Sequence, residues 1–147
     1  MNEFKLELCM TIRAPAANVW QALTIPQLLT DWMTSYGIKM MVETDWQIGS
    51  PIRFTGDLHG MTYVNKGVIK TFKPEKCLEY SFWSSLSQLD DQAEFYSLLS
   101  FHLEERAEVT SLQLNQGPFL LETMMKHSEF YWKVALAKLK DKLEFVV

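Results

Sequence analysis

The chain has 147 residues, of which 48% are hydrophobic, and its formal net charge is −4. This length predicts one domain, residues 1–147, that folds without disulfides or metals. The acidic balance argues against a general nucleic-acid-binding protein, which needs a basic face, and no apolar run is long enough to span a membrane. The two cysteines match no metal or redox spacing, and the first residues lack a signal-peptide pattern. A cytoplasmic protein is expected.

The N-terminal segment predicts one strand followed by two short helices. Apolar residues alternate with polar ones from Phe4 to Ile12, which indicates a strand with one buried face. Pro15 suits the first turn of a helix, where its missing N–H costs nothing. Pro26 ends that helix, and a second short helix is expected from Pro26 to Trp32.

The middle of the chain predicts an antiparallel sheet. Strands are expected at 39–43, 52–58, 61–73, 78–82, 95–104 and 109–115, with a polar loop at 84–94. Gly67 lies inside the longest strand, which predicts either a bulge or a close backbone approach at that point. A bulge there would shift which face the neighbouring side chains occupy. Gly117–Pro118 is expected to end the sheet.

The C-terminal segment predicts a long amphipathic helix from about Thr123 to Phe145. Apolar residues recur there at spacings of three, four and seven, which forms one apolar stripe. A helix of this length would extend about 34 Å, enough to cross a whole sheet. Helices on one side of an antiparallel sheet of about six or seven strands indicate an α+β fold.

Residues along the whole chain resemble the START-like, or SRPBCC, superfamily. The opening segment carries Ile12-Arg13-Ala14-Pro15, Val19-Trp20, Ala22-Leu23-Thr24, Pro26 and Trp32; the sheet carries Trp46, Gly49, Phe54, Gly67, Pro74, Leu78, Tyr80, Thr110 and Leu112; the last helix carries Trp132, Leu136, Leu139-Lys140, Leu143 and Glu144. The most similar branch is the domain related to the C-terminal part of the activator of Hsp90 ATPase. The resemblance implies a helix-grip fold, in which a curved antiparallel sheet wraps around a long C-terminal helix and two short helices follow strand 1.

This resemblance implies a function in binding. Members often hold an apolar ligand between the sheet and the helix, so non-enzymatic binding of a small hydrophobic or amphipathic molecule is expected, with no cofactor. The residues expected to line the cavity are Trp32, Trp46, Phe54, Met61, Tyr63, Tyr80, Phe82, Phe101, Phe119, Met125 and Trp132. Flat apolar rings with tyrosine hydroxyls suit such a cavity.

The same rings can instead simply fill the core. In that case the protein would be a protein-interaction or chaperone-linked module that acts through its surface. Eukaryotic Hsp90 activators carry an additional N-terminal domain, whereas this chain begins at the first strand, so stimulation of Hsp90 is not expected. Edge strands would support a homodimer.

No catalytic motif occurs in the sequence, and none of the three histidines has the spacing of a metal site. Two hypotheses remain open for Asp57 and His59. With Tyr63 they would supply acid–base groups for a cyclase- or hydrolase-type enzyme. Alternatively, they form a polar hairpin turn, which the flanking glycines favour.

The remaining charged residues are predicted to face water. Leu99, Phe101 and Leu103 alternate with His102 and Glu104, so burial of the three apolar residues would expose the two polar ones. The lysines at 138, 140 and 142 are predicted to form a solvated helix face. Contact with an acidic partner is the alternative for this cluster.

Overall fold

The computed structural model describes residues 3–34 and 39–145, which form a seven-stranded antiparallel sheet and three α-helices. The elements are β1 (Phe4–Ile12), α1 (Ala16–Thr24), α2 (Pro26–Met33), β2 (Met40–Glu43), β3 (Pro51–Leu58), β4 (Met61–Lys73), β5 (Cys77–Ser84), β6 (Ser97–Arg106), β7 (Val109–Phe119) and α3 (Glu122–Glu144). The strand order is β1-β7-β6-β5-β4-β3-β2, so strands β2 to β7 form a meander and β1 pairs with β7. This architecture confirms the predicted helix-grip fold.

Strand alternation determines which side chains reach the core. On β6, Leu99, Phe101 and Leu103 are buried, while His102 and Glu104 are exposed. The prediction that these two polar residues face water is therefore confirmed. The reason is the pleat of the strand, which directs successive side chains to opposite faces.

Helix α3 is joined to the sheet by its buried apolar stripe and, among the described residues, by one buried polar contact. Trp132 packs edge-on against Phe101 of β6, with ring centroids 5.7 Å apart. Its Nε1 donates a hydrogen bond to Oε1 of Gln116 on β7 at 3.0 Å, and Nε2 of Gln116 donates to Oγ of Ser97 at 3.1 Å. Because every polar group in this chain of contacts is paired, the buried glutamine is compatible with an apolar core.

The two short helices pack together, and α2 contacts the middle of α3. Trp32 of α2 donates Nε1 to the carbonyl of Ala22 at 2.9 Å and packs against Trp132 at 6.3 Å. Tyr131 of α3 donates its hydroxyl to the carbonyl of Met33 at 2.6 Å. These contacts place the C-terminal end of α2 beside the middle of α3. No helix in the described ranges is long and apolar enough to cross a membrane.

Gly67 marks a close backbone approach, and the bulge lies farther along β4. A Cβ atom at Gly67 would lie 1.5 Å from the carbonyl oxygen of Ser81 on β5, a distance that only glycine permits. The pairing of β4 with β5 changes register between Ile69 and Thr71. Tyr63 and Tyr80 are therefore on the same face, because the change of register lies outside the stretch that joins them.

The prediction that Gly117–Pro118 ends the sheet was wrong. Strand β7 continues to Phe119, since Gly117 pairs with Leu98 of β6 and Phe119 pairs with Phe4 of β1. Proline at 118 is tolerated because a strand position needs its N–H only where a neighbour accepts it. The polar loop predicted at 84–94 contains two short 3₁₀ turns, Ser85–Ser87 and Ala93–Phe95.

Candidate ligand-binding cleft

A cleft of about 1140 Å³ opens where α2 ends, between strands β2–β4 and the C-terminal half of α3. Helix α2 contributes Thr30, Asp31 and Thr34; the sheet contributes Lys39, Met40, Met41, Thr55, Gly56, Asp57, Thr62, Tyr63 and Val64; and α3 contributes Lys138 and Lys142. Ligand sites are commonly concave, mostly apolar and supplied with a few polar groups. Most of the cleft surface is apolar, although nine of its fourteen residues are threonine, aspartate or lysine, and the cleft lies at the end of the sheet that α3 leaves uncovered.

The phenol ring of Tyr63, on β4, lies over Gly56 of the neighbouring strand β3, inside this cleft. A Cβ atom at Gly56 would lie 2.6 Å from Oη of Tyr63 and 2.7 Å from the carbonyl oxygen of Lys39. Glycine at position 56 therefore leaves the space that the phenol ring occupies. Burial raises the pKa of Tyr63 above its usual value, so its hydroxyl stays protonated at neutral pH and can donate a hydrogen bond.

Two further tyrosines follow Tyr63 towards the core. Burial raises the pKa of Tyr131, and the nearby Tyr63 raises it further. Burial likewise raises the pKa of Tyr80, with an added contribution from Tyr131. The three hydroxyls remain neutral near pH 7, so this row supplies hydrogen bonds and not a general base.

Asn65 adds an unpaired polar group to the same face of the sheet. It lies two residues after Tyr63 on β4 and pairs with Phe54 on β3. Its Oδ1 is buried and accepts no hydrogen bond within the described ranges. Buried polar atoms are nearly always paired, so an orphaned acceptor needs an explanation such as a bound molecule.

The rings predicted to line the cavity mostly pack against one another. Trp32, Phe54, Tyr80, Phe101 and Trp132 are buried in the core. Trp46, Phe82, Phe119 and Met125 are partly buried and pack against that core. Met61 is 59% exposed beside the β3–β4 turn, where the sheet extends beyond the core. Tyr63 is the one predicted residue that lines the cleft. The centre of the concave face is thus occupied, and the open space lies at its edge.

Sequence reasoning did not anticipate Lys39 or Met40 in the cleft, although it weighed Asp57 as an acid–base group and the lysines at 138 and 142 as contacts for an acidic partner. Met40 lines the cleft from β2, and Lys39 lies just before that strand. The alternation of residues 39–43 could have identified Met40, because Val42 of the same parity is buried. The involvement of Lys39 has no comparable signal, since it depends on how β2 meets α3.

Asp57 and His59 adopt the geometry of a polar turn. Oδ1 of Asp57 accepts a hydrogen bond from the N–H of Gly60 at 2.6 Å, and His59 is exposed with φ +52°. No hydrogen bond joins His59 to Asp57 or Tyr63 within the described part of the chain. An acid–base pair requires hydrogen-bond reach to the reacting proton, so the contacts favour the turn. No group of three or more His, Cys, Asp or Glu side chains in these ranges could hold a metal ion.

Comparison with known proteins supports the fold and assigns the family. Residues 13–144 match the family described as Activator of Hsp90 ATPase homolog 1-like protein. No curated protein shows significant sequence similarity to the chain.

Among solved structures, a protein from Cytophaga hutchinsonii is 31% identical, with a TM-score of 0.81, and the match covers 98% of this chain and 97% of that protein. A protein from Chromobacterium violaceum is 17% identical, with a TM-score of 0.80 and coverages of 95% and 97%. The Aha1 dimer from Colwellia psychrerythraea is 23% identical, with a TM-score of 0.75 and coverage of 96% of each chain. The fold is that of ligand-binding or interaction modules in general, and the chain belongs to the Activator of Hsp90 ATPase homolog 1-like family.

Proposed function

We propose that this protein binds a small hydrophobic or amphipathic molecule, without catalysis, in the cleft between β2–β4 and α3. The observation that carries the proposal is the cleft itself, whose volume of about 1140 Å³ is large enough to hold a small molecule. Apolar surface from Met40 and Val64 would bury the body of the molecule. The hydroxyl of Tyr63 would orient it through a hydrogen bond.

Asn65 is not part of the cleft lining, so it would contribute only to the binding of a molecule that extends past Tyr63 along β4. A buried acceptor without a partner costs stability, and a ligand that donates to Oδ1 would remove that cost. Replacing Asn65 with leucine, which has a similar shape, should leave the unliganded protein at least as stable. The same substitution should weaken binding of a molecule that carries a hydroxyl group.

The test is to titrate the protein with decan-1-ol and with decanoate by calorimetry, after native mass spectrometry for any copurified molecule. Thr62→Trp would obstruct the cleft, because Thr62 lines it from an exposed strand position. Thr11→Trp is the matched control, since Thr11 is an exposed strand threonine on β1, outside the cleft. Binding of either probe that Thr62→Trp abolishes and Thr11→Trp preserves is the expected result. The proposal fails if neither probe binds to the unmodified protein.

A second candidate function is self-association through α3. Phe130 is 73% exposed and Val134 is 49% exposed, and they lie four residues apart on the same side of the helix. Such adjacent exposed apolar side chains mark interaction surfaces, and one similar structure is described as a dimer. Sedimentation equilibrium should show a dimer that Phe130→Gln dissociates, whereas Ile48→Gln, at a 68% exposed loop position, leaves it intact. A monomeric unmodified protein would exclude this candidate.

A further inference from the structure

The two lysines that α3 directs to the cleft lack the ion pairs that its other lysines form. Each of those others contacts a glutamate four residues away: Lys126 and Glu122 at 3.2 Å, Lys133 and Glu129 at 4.0 Å, and Lys140 and Glu144 at 2.6 Å. Lys138 and Lys142 are instead four residues from each other, a spacing at which like charges repel. Neither forms an ion pair within residues 3–34 and 39–145.

A third lysine gives the cleft lining a net formal charge of +1, since three lysines stand against two aspartates. Lys39, just before β2, also lines the cleft, as do Asp31 of α2 and Asp57 of β3. Asp57 directs Oδ1 to the N–H of Gly60 in its own turn. No ion pair joins these two carboxylates to the three lysines in the part of the chain that the structure describes.

Two local features favour the positive charge of these helix lysines. Lys138 donates Nζ to the carbonyl oxygen of Thr34 at the end of α2. Lys142 lies in the last turn of α3, where the helix dipole favours a cation. Neither contact neutralises the charge, so the ammonium groups remain available to an anion.

The same cleft also has an apolar wall. Met40, Met41 and Val64 line it alongside the ring of Tyr63. Apolar surface beside a cationic rim suits a molecule with a hydrocarbon body and a negatively charged end. Ammonium groups that contact a carboxylate or phosphate form charge-assisted hydrogen bonds, which are stronger than neutral ones.

We infer that the cleft selects an anionic amphiphile, with its carboxylate or phosphate at Lys39, Lys138 and Lys142 and its apolar body against Met40 and Val64. This inference rests on the proposed binding function of the cleft and adds the chemical class of the ligand. A small anion without a hydrocarbon body carries the same charged group as an anionic amphiphile. The test must therefore distinguish these two kinds of ligand.

The test compares decanoate, decan-1-ol and acetate by calorimetry on the purified chain. The variant Lys138→Gln/Lys142→Gln removes both helix charges from the cleft. Lys126→Gln/Lys133→Gln is the matched control, because it makes the same change of charge on α3 outside the cleft. Lys39→Gln provides a variant that leaves the Lys138–Thr34 contact intact. Circular dichroism verifies that each variant folds.

Decanoate should bind more tightly than decan-1-ol, and acetate should bind least. The cleft variants should weaken decanoate binding by about tenfold or more and leave decan-1-ol binding unchanged, while the control alters neither. Equal binding of decanoate and decan-1-ol would overturn the inference and leave the proposed function standing. Acetate binding as tight as decanoate would overturn it in favour of a simple anion site. Absence of binding by both ten-carbon probes would overturn the proposed function as well.

Discussion

Trp132 of α3 and Gln116 of β7 form the one buried side-chain hydrogen bond that joins helix to sheet in the described ranges, with Nε1 donating to Oε1 at 3.0 Å. Trp132 also contacts Phe101 and Trp32 through its ring. The indole therefore connects β6, β7, α2 and α3 at a single point. Since the cleft lies between α3 and the sheet, the orientation of this helix sets the width of the cleft.

Gln116→Leu should destabilise the protein by about 1–3 kcal/mol, because it leaves the buried N–H of Trp132 without an acceptor. Urea unfolding followed by circular dichroism measures the change. Gln113→Leu is the control on the same strand, since Gln113 is only partly buried and bonds to Asn115. Equal unfolding free energies for the two variants would show that the contact contributes nothing to stability.

Gly67→Ala should destabilise the protein by about 3 kcal/mol or more, because the added Cβ would lie 1.5 Å from a backbone oxygen that cannot rotate away. Gly60→Ala is the comparison: its Cβ would meet nothing within 4 Å, and only its φ of +90° opposes alanine. That conformation should cost about 1–2 kcal/mol. Thermal unfolding of both variants tests the order, and a Gly67 variant at least as stable as the Gly60 variant would refute the close approach.

Glu144→Gln should reduce the loss of stability in acid. The Lys140 ammonium, followed by the N–H of Arg13, lowers the pKa of Glu144 in the folded protein, with contacts of 2.6 Å and 2.8 Å. A lowered folded pKa stabilises the protein above the unfolded pKa, and this contribution disappears as the pH falls through the folded value. Urea unfolding between pH 7 and pH 3 should therefore show a steeper decline for the unmodified protein. Glu104→Gln, at an exposed glutamate, should retain the full decline, and an unchanged slope for Glu144→Gln would contradict the assignment.

Asp91→Asn should lower the pKa of Tyr96 without restoring its ordinary value. Burial, followed by the hydrogen bond to Asp91, raises the pKa of Tyr96 to about 12, and its hydroxyl lies 2.5 Å from Oδ1 of Asp91. The substitution removes the carboxylate charge, which acts through both the hydrogen bond and direct repulsion, and leaves the larger cause, burial. Nuclear magnetic resonance titration of ¹³C-labelled tyrosine measures the shift. Asp90→Asn is the neighbouring control, and identical Tyr96 titrations in the two variants would exclude a role for the Asp91 carboxylate charge.

The elements and the sheet faces could be predicted from the sequence because both follow from local periodicity. The alternation from Phe4 to Ile12 matches β1 in full. On β6, the alternation of apolar with polar residues correctly predicted which face is buried. The predicted Thr123–Phe145 helix differs from α3 by one residue at each end. These features depend on neighbours two to four residues apart, which the sequence displays directly.

The location of the cleft depended on contacts between distant segments. Phe54 and Tyr80 lie on strands that are not adjacent, and their ring centroids are 5.8 Å apart. This packing across the sheet decides that the two rings fill space and do not enclose it. Lys39 and Lys142 are separated by about a hundred residues, yet they line one cleft. Hydrophobic periodicity predicted an antiparallel sheet and a long amphipathic helix, because burial follows the spacing of apolar residues, and the family resemblance implied that the sheet wraps around that helix. Only the tertiary structure decided where the cleft between the sheet and α3 remains open. Its position depends on side-chain volumes and on the orientation of the helix, which combine only once the chain is folded.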